Sequence, residues 1–197
     1  MKYRLYPTTE QSVFFAKTFG CCRKVYNLML ADKIKSYEET KSFGKQTPAM
    51  YKKAYPFLKE VDSLALANVQ LHLQSAMKNC FDKKRKARNG FPNYKSAKHS
   101  RKSYTTNNQN GTIAITENGI KLPKIGIIKA VIHRQPNETW KIKSATISQD
   151  RDGKFYASVL FEYDAEVIVM SKMSSNAIGL DYKSDGLYMD SNGTLVD

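Results

Sequence analysis

The residues that could carry metal-dependent chemistry converge on one stretch, Asn176-Ala177-Ile178-Gly179-Leu180-Asp181-Tyr182-Lys183, where an apolar strand runs into a single carboxylate. Hydrolysis of a phosphodiester by two metal ions needs several hard oxygen ligands around ions about 4 Å apart, to activate water and stabilise the leaving oxygen. One aspartate does not supply them. Asp185 and Asp190 are the nearby additions, and both lie in turn sequences, where aspartate is expected for backbone reasons alone. The residues by themselves leave Asp181 open as a metal ligand or as a strand-end aspartate. No P-loop, nucleophile elbow, HExxH or dinucleotide-binding glycine pattern competes with it.

A second set of residues points to binding. Lys83, Lys84, Arg85, Lys86, Arg88, Lys95, Lys98, Arg101 and Lys102 crowd together, with Asp82 as the only acid close by. Phe91, Tyr94 and Tyr104 are interleaved, around a Gly90-Phe91-Pro92 break. A bare charge run is usually a solvated face. Aromatics and a turn within the run argue instead for a folded strip that tracks phosphates and offers flat rings for stacking. His72, His133 and Arg134 have no partner at ligand or catalytic spacing and read as surface or boundary residues.

Composition supports a polyanionic partner. The 197 residues hold 32 Lys+Arg against 18 Asp+Glu, a net charge of +14, which repels itself in a compact state unless an anion is bound. No apolar run is long enough to cross a membrane and no secretory leader opens the chain, so the expectation is a cytoplasmic, nucleoid-associated, prokaryotic protein with no membrane partner. Cys21 and Cys22 are adjacent and Cys80 stands apart, which gives neither a disulfide framework nor a CxxC zinc site.

These residues need elements to position them. Lys2–Tyr6 alternates like a half-buried strand, and Pro7 ends it. Thr8 with Gln11 forms a capping-box pattern that opens a short helix, broken at Gly20; a second helix over 21–40 repeats Cys22, Val25, Tyr26, Met29 and Ile34 at helical spacing. Two helices joined at a glycine suit either a helix-turn-helix or plain bundle packing. Thr47-Pro48 starts another short helix, and Asp62 or Ser63 caps a long one carrying Leu66, Val69, Leu73, Met77, Cys80 and Phe81. From Ser103 the period changes to short strands separated by Asn110-Gly111, Glu117-Asn118-Gly119, Pro136-Asn137 and Asp150-Arg151-Asp152-Gly153, as in a small barrel or sandwich that strand 2–6 could join. After Tyr163 comes a linker, then a meander through 177–182, 187–189 and Thr194, too small to bury a core of its own.

Taken together, Tyr3-Arg4-Leu5-Tyr6-Pro7-Thr8, Gln11, Gly20-Cys21-Cys22-Arg23-Lys24-Val25-Tyr26-Asn27, Phe91-Pro92-Asn93-Tyr94-Lys95-Ser96, Ser103-Tyr104-Thr105-Thr106 and Ile178-Gly179-Leu180-Asp181 resemble, in order, the transposon-encoded TnpB (OrfB) proteins, RNA-guided DNA endonucleases related to type V CRISPR effectors. The resemblance implies an α+β chain: a small oligonucleotide-binding-type β-barrel (the wedge domain, 1–8 and 103–163), an inserted helical recognition bundle (9–102), a linker (164–175) and the first strands of an RNase H-like RuvC domain (176–197). It adds Arg4, Arg23, Lys24, Tyr26 and Asn27 to the strip as nucleic-acid contacts. It makes Asp181 the first RuvC carboxylate and a Mg²⁺ ligand, with guide RNA and target DNA as partners. Lys183 stands where the family often has glycine. The family's later carboxylates and its zinc element would fall beyond position 197, so this chain is expected to bind RNA and DNA without cutting. Other outcomes are a nuclease-dead RNA-guided repressor, a helix-turn-helix DNA binder using residues 9–40, or a structural RNA-binding protein.

Overall fold

The alternation of the first residues becomes β1 (Lys2–Tyr6), which buries Tyr3 and Leu5 and exposes Lys2 and Tyr6. The structure is a computed structural model that describes residues 1–82, 90–164, 179–182 and 187–196. β1 is paired on both sides. Tyr3 lies opposite Ala157 of β7 (Phe155–Glu162), and Leu5 opposite Ala130 of β5 (Gly126–Val131). β2 (Lys102–Asn107), β3 (Ala114–Thr116), β4 (Gly119–Leu122) and β6 (Lys141–Gln149) complete an antiparallel sheet in the order β2-β6-β7-β1-β5-β4-β3. One core joins the sheet's inner residues, such as Leu5, Ile120, Ile128, Ile147 and Ala157, to the helices.

The expected barrel is not closed. β2 and β3 remain as the two edges of the seven-strand sheet. A flat sheet of this width would part them by about 29 Å, six spacings of about 4.8 Å. The connection from Asn107 to Ala114 spans at most about 25 Å, because each residue reaches no more than about 3.6 Å. A tight turn within it shortens the reach further: Asn110 and Gly111 both take positive φ (51° and 73°), and the Thr112 N–H donates to the Gln109 carbonyl at 3.2 Å. The sheet must therefore curl towards a barrel. The seam stays open because the third helix packs along β2: Asp62 accepts from the Thr106 hydroxyl, and Asn68 Nδ2 donates to Asn107 Oδ1 at 3.4 Å.

The first helix corrects the sequence-based expectation. α1 runs without a break from Thr9 to Thr40, straight through Gly20. Its start is the expected capping box, with the Gln11 N–H donating to Thr8 Oγ1 at 3.3 Å and the Thr8 N–H donating to Gln11 Oε1 at 3.0 Å. Phe15, Phe19, Cys22, Val25, Tyr26, Met29 and Leu30 are buried on both sides of the glycine. Each large apolar side chain in such a stripe contributes about 1.5–3 kcal/mol on burial, against about 1 kcal/mol for glycine in a helix interior. Packing wins, and no turn separates two helices here. α2 (Pro48–Tyr51) starts on proline as the sequence suggests, and a 3₁₀ turn follows at Pro56–Lys59. α3 (Ser63–Phe81) is capped by Asp62, whose Oδ1 accepts from the Leu64 N–H at 3.1 Å.

Residues Met1–Tyr163 form one compact unit and Asp164–Asp197 a second. In the second, β8 (Leu180–Asp181), β9 (Tyr188–Asp190) and β10 (Leu195–Val196) make the expected antiparallel meander.

Two glycines separate local from tertiary control. Beyond its own turn of helix, nothing would lie within 4 Å of a Cβ at Gly20, whereas a Cβ at Gly119 (φ 154°) would sit 2.0 Å from the Ile128 carbonyl oxygen. In thermal or urea unfolding, Gly20→Ala should stabilise the protein by about 0.5–1 kcal/mol if α1 is continuous. Gly119→Ala should destabilise it by more than about 1 kcal/mol. A destabilising Gly20→Ala would mean that the chain turns there.

Candidate nucleic-acid interface

Strand alternation decides which cations face outward. The register across β2, β6, β7, β1 and β5 places Ser103, Ser148, Tyr156, Arg4 and Val131 in one row on the outer face. The adjoining row is Thr105, Thr146, Ser158 and Lys2. Tyr6 with Lys129, and Ile127 with Lys121, continue the face across β5 and β4. None of these residues is acidic. Lys2 Nζ stands 4.3 Å from the centroid of the Tyr156 ring, and the Arg4 guanidinium is 5.6 Å from the same ring and 5.2 Å from that of Tyr6. The ring quadrupoles attract both cations. Arg4 Nε is nevertheless buried with no hydrogen-bond partner among the described residues.

This face opens into a groove of about 800 Å³ lined by Lys2, Lys98, Arg101, Lys102, Arg151 and Tyr156, among others. Its one carboxylate, Asp150, is engaged in its own turn, where Oδ1 accepts from the Lys154 N–H at 2.7 Å. Among the described residues, none of the five groove cations is in an ion pair. On the other side of residues 100–102 lies a cavity of about 240 Å³. Arg23, His72, Lys95 and Arg101 stand around it, over a floor that includes Phe19, Cys22, Val69 and Tyr104.

The residues expected from sequence are divided by the structure. Lys95, Lys98, Arg101 and Lys102 meet around the groove and the cavity, and Arg23 joins them from α1; Arg4, on β1, stands beside the groove, 5.6 Å from the ring of its lining residue Tyr156. Lys24 lies over the Tyr55 ring at 5.0 Å. Phe91 and Tyr94 are exposed. Tyr26 and Tyr104 are not surface rings: they are 6% and 5% exposed, and Tyr104 packs against Phe15 and Phe19. Burial raises the phenol pKa of both. Lys83, Lys84, Arg85, Lys86 and Arg88 lie outside the described residues. Asn27 clasps the Lys95 backbone, accepting from its N–H at 2.8 Å and donating to its carbonyl at 2.9 Å. The Lys95 residue is exposed as a whole, but its Nζ stands 4.1 Å from the Tyr26 centroid, and desolvation there lowers its pKa. Lys2, Arg151 and Tyr156 were missed by the sequence reading. The period of two in β1 puts Lys2 beside Arg4 and would have found it.

Asp181 is described without a metal-ligand set. β8 and β9 pair so that Asp181 faces Met189 and Leu180 faces Asp190, and neighbouring pairs point to opposite faces of the ribbon. The Asp190 carboxylate accepts from the Thr194 and Asn192 N–H groups at 2.8 and 2.9 Å, which hold its pKa down. Asp185 lies outside the described residues. Among the described residues no three His, Cys, Asp or Glu side chains gather to hold a metal, so they do not fit a Mg²⁺ site by themselves. No helix among them is long and apolar enough to cross a membrane.

The fold and this surface define an α+β chain with a cationic face. A family model described as a helix-turn-helix domain, that of the OrfB proteins of IS605-type elements, matches residues 1–42, the span that folds here as β1 and one continuous helix. A protein of Streptomyces pristinaespiralis named "Putative RNA-guided DNA endonuclease" is 32% identical over 99% of this chain and 48% of its own length. The virulence protein VsdF of Salmonella dublin is 35% identical over 48% of this chain and 89% of its own. The chain belongs to the OrfB/TnpB family of IS605-type elements. It spans about half the length of the Streptomyces relative.

The clasp yields a direct test. Asn27→Ala should speed hydrogen exchange at the Lys95 amide by about tenfold or more, since a net hydrogen bond is worth about 1 kcal/mol and two are lost. An unchanged exchange rate would show that Asn27 does not hold this segment.

Proposed function

We propose that this chain is the nucleic-acid-holding portion of an RNA-guided DNA endonuclease, with guide RNA and target DNA as its partners. The observation that carries the proposal is the cationic face itself. Two like charges converge on Tyr156, Arg4 Nε has no hydrogen-bond partner among the described residues, and the adjoining groove adds Lys98, Arg101, Lys102 and Arg151, with its carboxylate Asp150 held in a turn. Unneutralised like charges repel, and a phosphate backbone relieves that repulsion while releasing its own counterions. The serine and threonine rows beside the cations add hydroxyls that can donate to phosphate oxygens. Such a surface reads backbone shape and leaves sequence to base pairing, the division of labour of RNA-guided effectors. The name of the Streptomyces relative supports the same assignment.

Asp181 is proposed as the first RuvC carboxylate and as a Mg²⁺ ligand, on the strength of its motif. The residues described around it supply no second ligand, so the chain alone is proposed to bind without cutting.

Fluorescence anisotropy with short single-stranded RNA and DNA across a salt series tests the binding. Affinity should fall steeply with salt, and Lys2→Ala, Arg4→Ala and Lys98→Ala should each lower the log–log salt slope by about 1. Lys17→Ala, which removes a cation already paired with Glu60 at 3.1 Å, should leave the slope unchanged. Equal slopes for all four variants would sink the proposal. Mg²⁺-dependent cleavage by the purified chain, abolished in Asp181→Ala, would overturn the statement that it does not cut.

A further inference from the structure

The groove and the smaller cavity share a wall made by Ser100, Arg101 and Lys102. The two hollows therefore adjoin along residues 100–102, which places them side by side for neighbouring nucleotides of a single strand. The cavity differs from the groove in having a floor. Phe19, Cys22, Ala65, Val69 and Tyr104 come up from the core and are each buried. Burial pushes the Cys22 thiol up to about 12, so the floor is uncharged at neutral pH. The rim is cationic, from Arg23, Lys95 and Arg101, and none of the lining residues is acidic.

An inorganic anion would satisfy the rim and leave the apolar floor against water. A neutral apolar molecule would do the reverse. A nucleotide uses both, with a flat apolar base below and a phosphate above. The volume, about 240 Å³, lies under the range of drug-sized pockets, about 300–1,000 Å³, and suits one base rather than a stacked pair.

We propose that this cavity receives a single base turned out of the strand that lies in the groove, with Arg23, Lys95 and Arg101 holding the phosphate of that nucleotide. The inference rests on the assignment of the groove to nucleic acid. Extruding a base from a single strand costs only its stacking, so the site favours unpaired nucleotides over a duplex.

His72, at the same rim, reports occupancy. Burial, and then the Lys95 charge, lower its pKa below the usual 6.5. A phosphate bound beside it favours the imidazolium and raises that pKa. By linkage, nucleotide affinity rises as pH falls through the window between the bound and free values.

The test is NMR titration of the full chain with a nucleoside monophosphate, the matching nucleoside and inorganic phosphate, following the His72 ring signals. The monophosphate should bind at least about tenfold more tightly than either fragment and should raise the His72 pKa. Val69→Phe, which fills the floor, and Lys95→Gln, which thins the rim, should each weaken it by about tenfold or more. Phosphate binding as tightly as the monophosphate would reduce the cavity to a bare anion site and overturn the proposal. So would monophosphate binding that leaves His72 unmoved, or that survives Val69→Phe. Oligonucleotide affinity separates the two assignments: if it is retained while monophosphate binding fails, the cavity inference alone falls. If wild-type oligonucleotide binding is absent, the assignment of the groove falls with it.

Discussion

The structure depends on the position of five residues. β1 sits in the middle of the sheet, bonded to β7 on one side and β5 on the other. The amino terminus is tied in as well: the Met1 ammonium donates to the Val159 carbonyl at 2.8 Å, and the Val159 N–H donates to the Met1 carbonyl at 2.7 Å. The first strand of the chain thus completes its hydrogen bonds only with residues more than a hundred positions later. Pairing of such high contact order is slow to form, and it binds the ends of the unit into one cooperative structure. It also sets the helices. Pro7 and Thr8 alone separate β1 from α1, so the direction of the 32-residue helix follows from where the strand ends.

The same strand creates the cationic face. Alternation buries Tyr3 and Leu5 and so sends Lys2, Arg4 and Tyr6 outward together. A central strand has neighbours on both sides, so its outward residues stand amid those of β7 and β5 rather than at an edge. Arg4 is therefore held between Tyr6 and Tyr156, and Lys2 over Tyr156. The rings fix the positions of cations that solvent would otherwise leave mobile, which lowers the entropy lost when a phosphate binds.

Much of this was legible in local chemistry. The alternation of Lys2–Tyr6, the Thr8/Gln11 capping box, the Asp62 cap and the Asn110-Gly111 turn each state a backbone preference that the structure keeps. Errors arose where distant contacts decide. Gly20 signals a helix end, but the stripe from Phe15 to Leu30 is buried on both sides of it and carries the helix through. The short strands suggested a barrel, but which edge α3 would cover depends on Asp62 reaching Thr106 across 44 residues. Its place just after the basic strip groups Tyr104 with the exposed rings. The alternation of Ser103, Tyr104, Thr105 and Thr106 assigns it inward, with the hydroxyls of Ser103 and Thr105 outward. The groove was not legible, since Lys2, Lys98 and Arg151 come from three separate parts of the chain.

Charge distribution adds the last step. Residues 164–197 contain six acids and two lysines, so residues 1–163 carry a net +18 of the overall +14. The first unit is thus more basic than the chain, and the unit bearing Asp181 is acidic. An acidic stretch repels a phosphate backbone unless cations intervene, which is the condition under which carboxylates meet a phosphodiester through metal ions. The β8–β9 register shows how little of such a site these strands contain: Asp181 and Asp190 fall on opposite faces, and Asp190 is committed to its own turn. Ligands for any metal at Asp181 must come from other residues than Asp190. The two units therefore differ in the sign of their charge, and the surplus of cations available to a polyanion resides in the first of them.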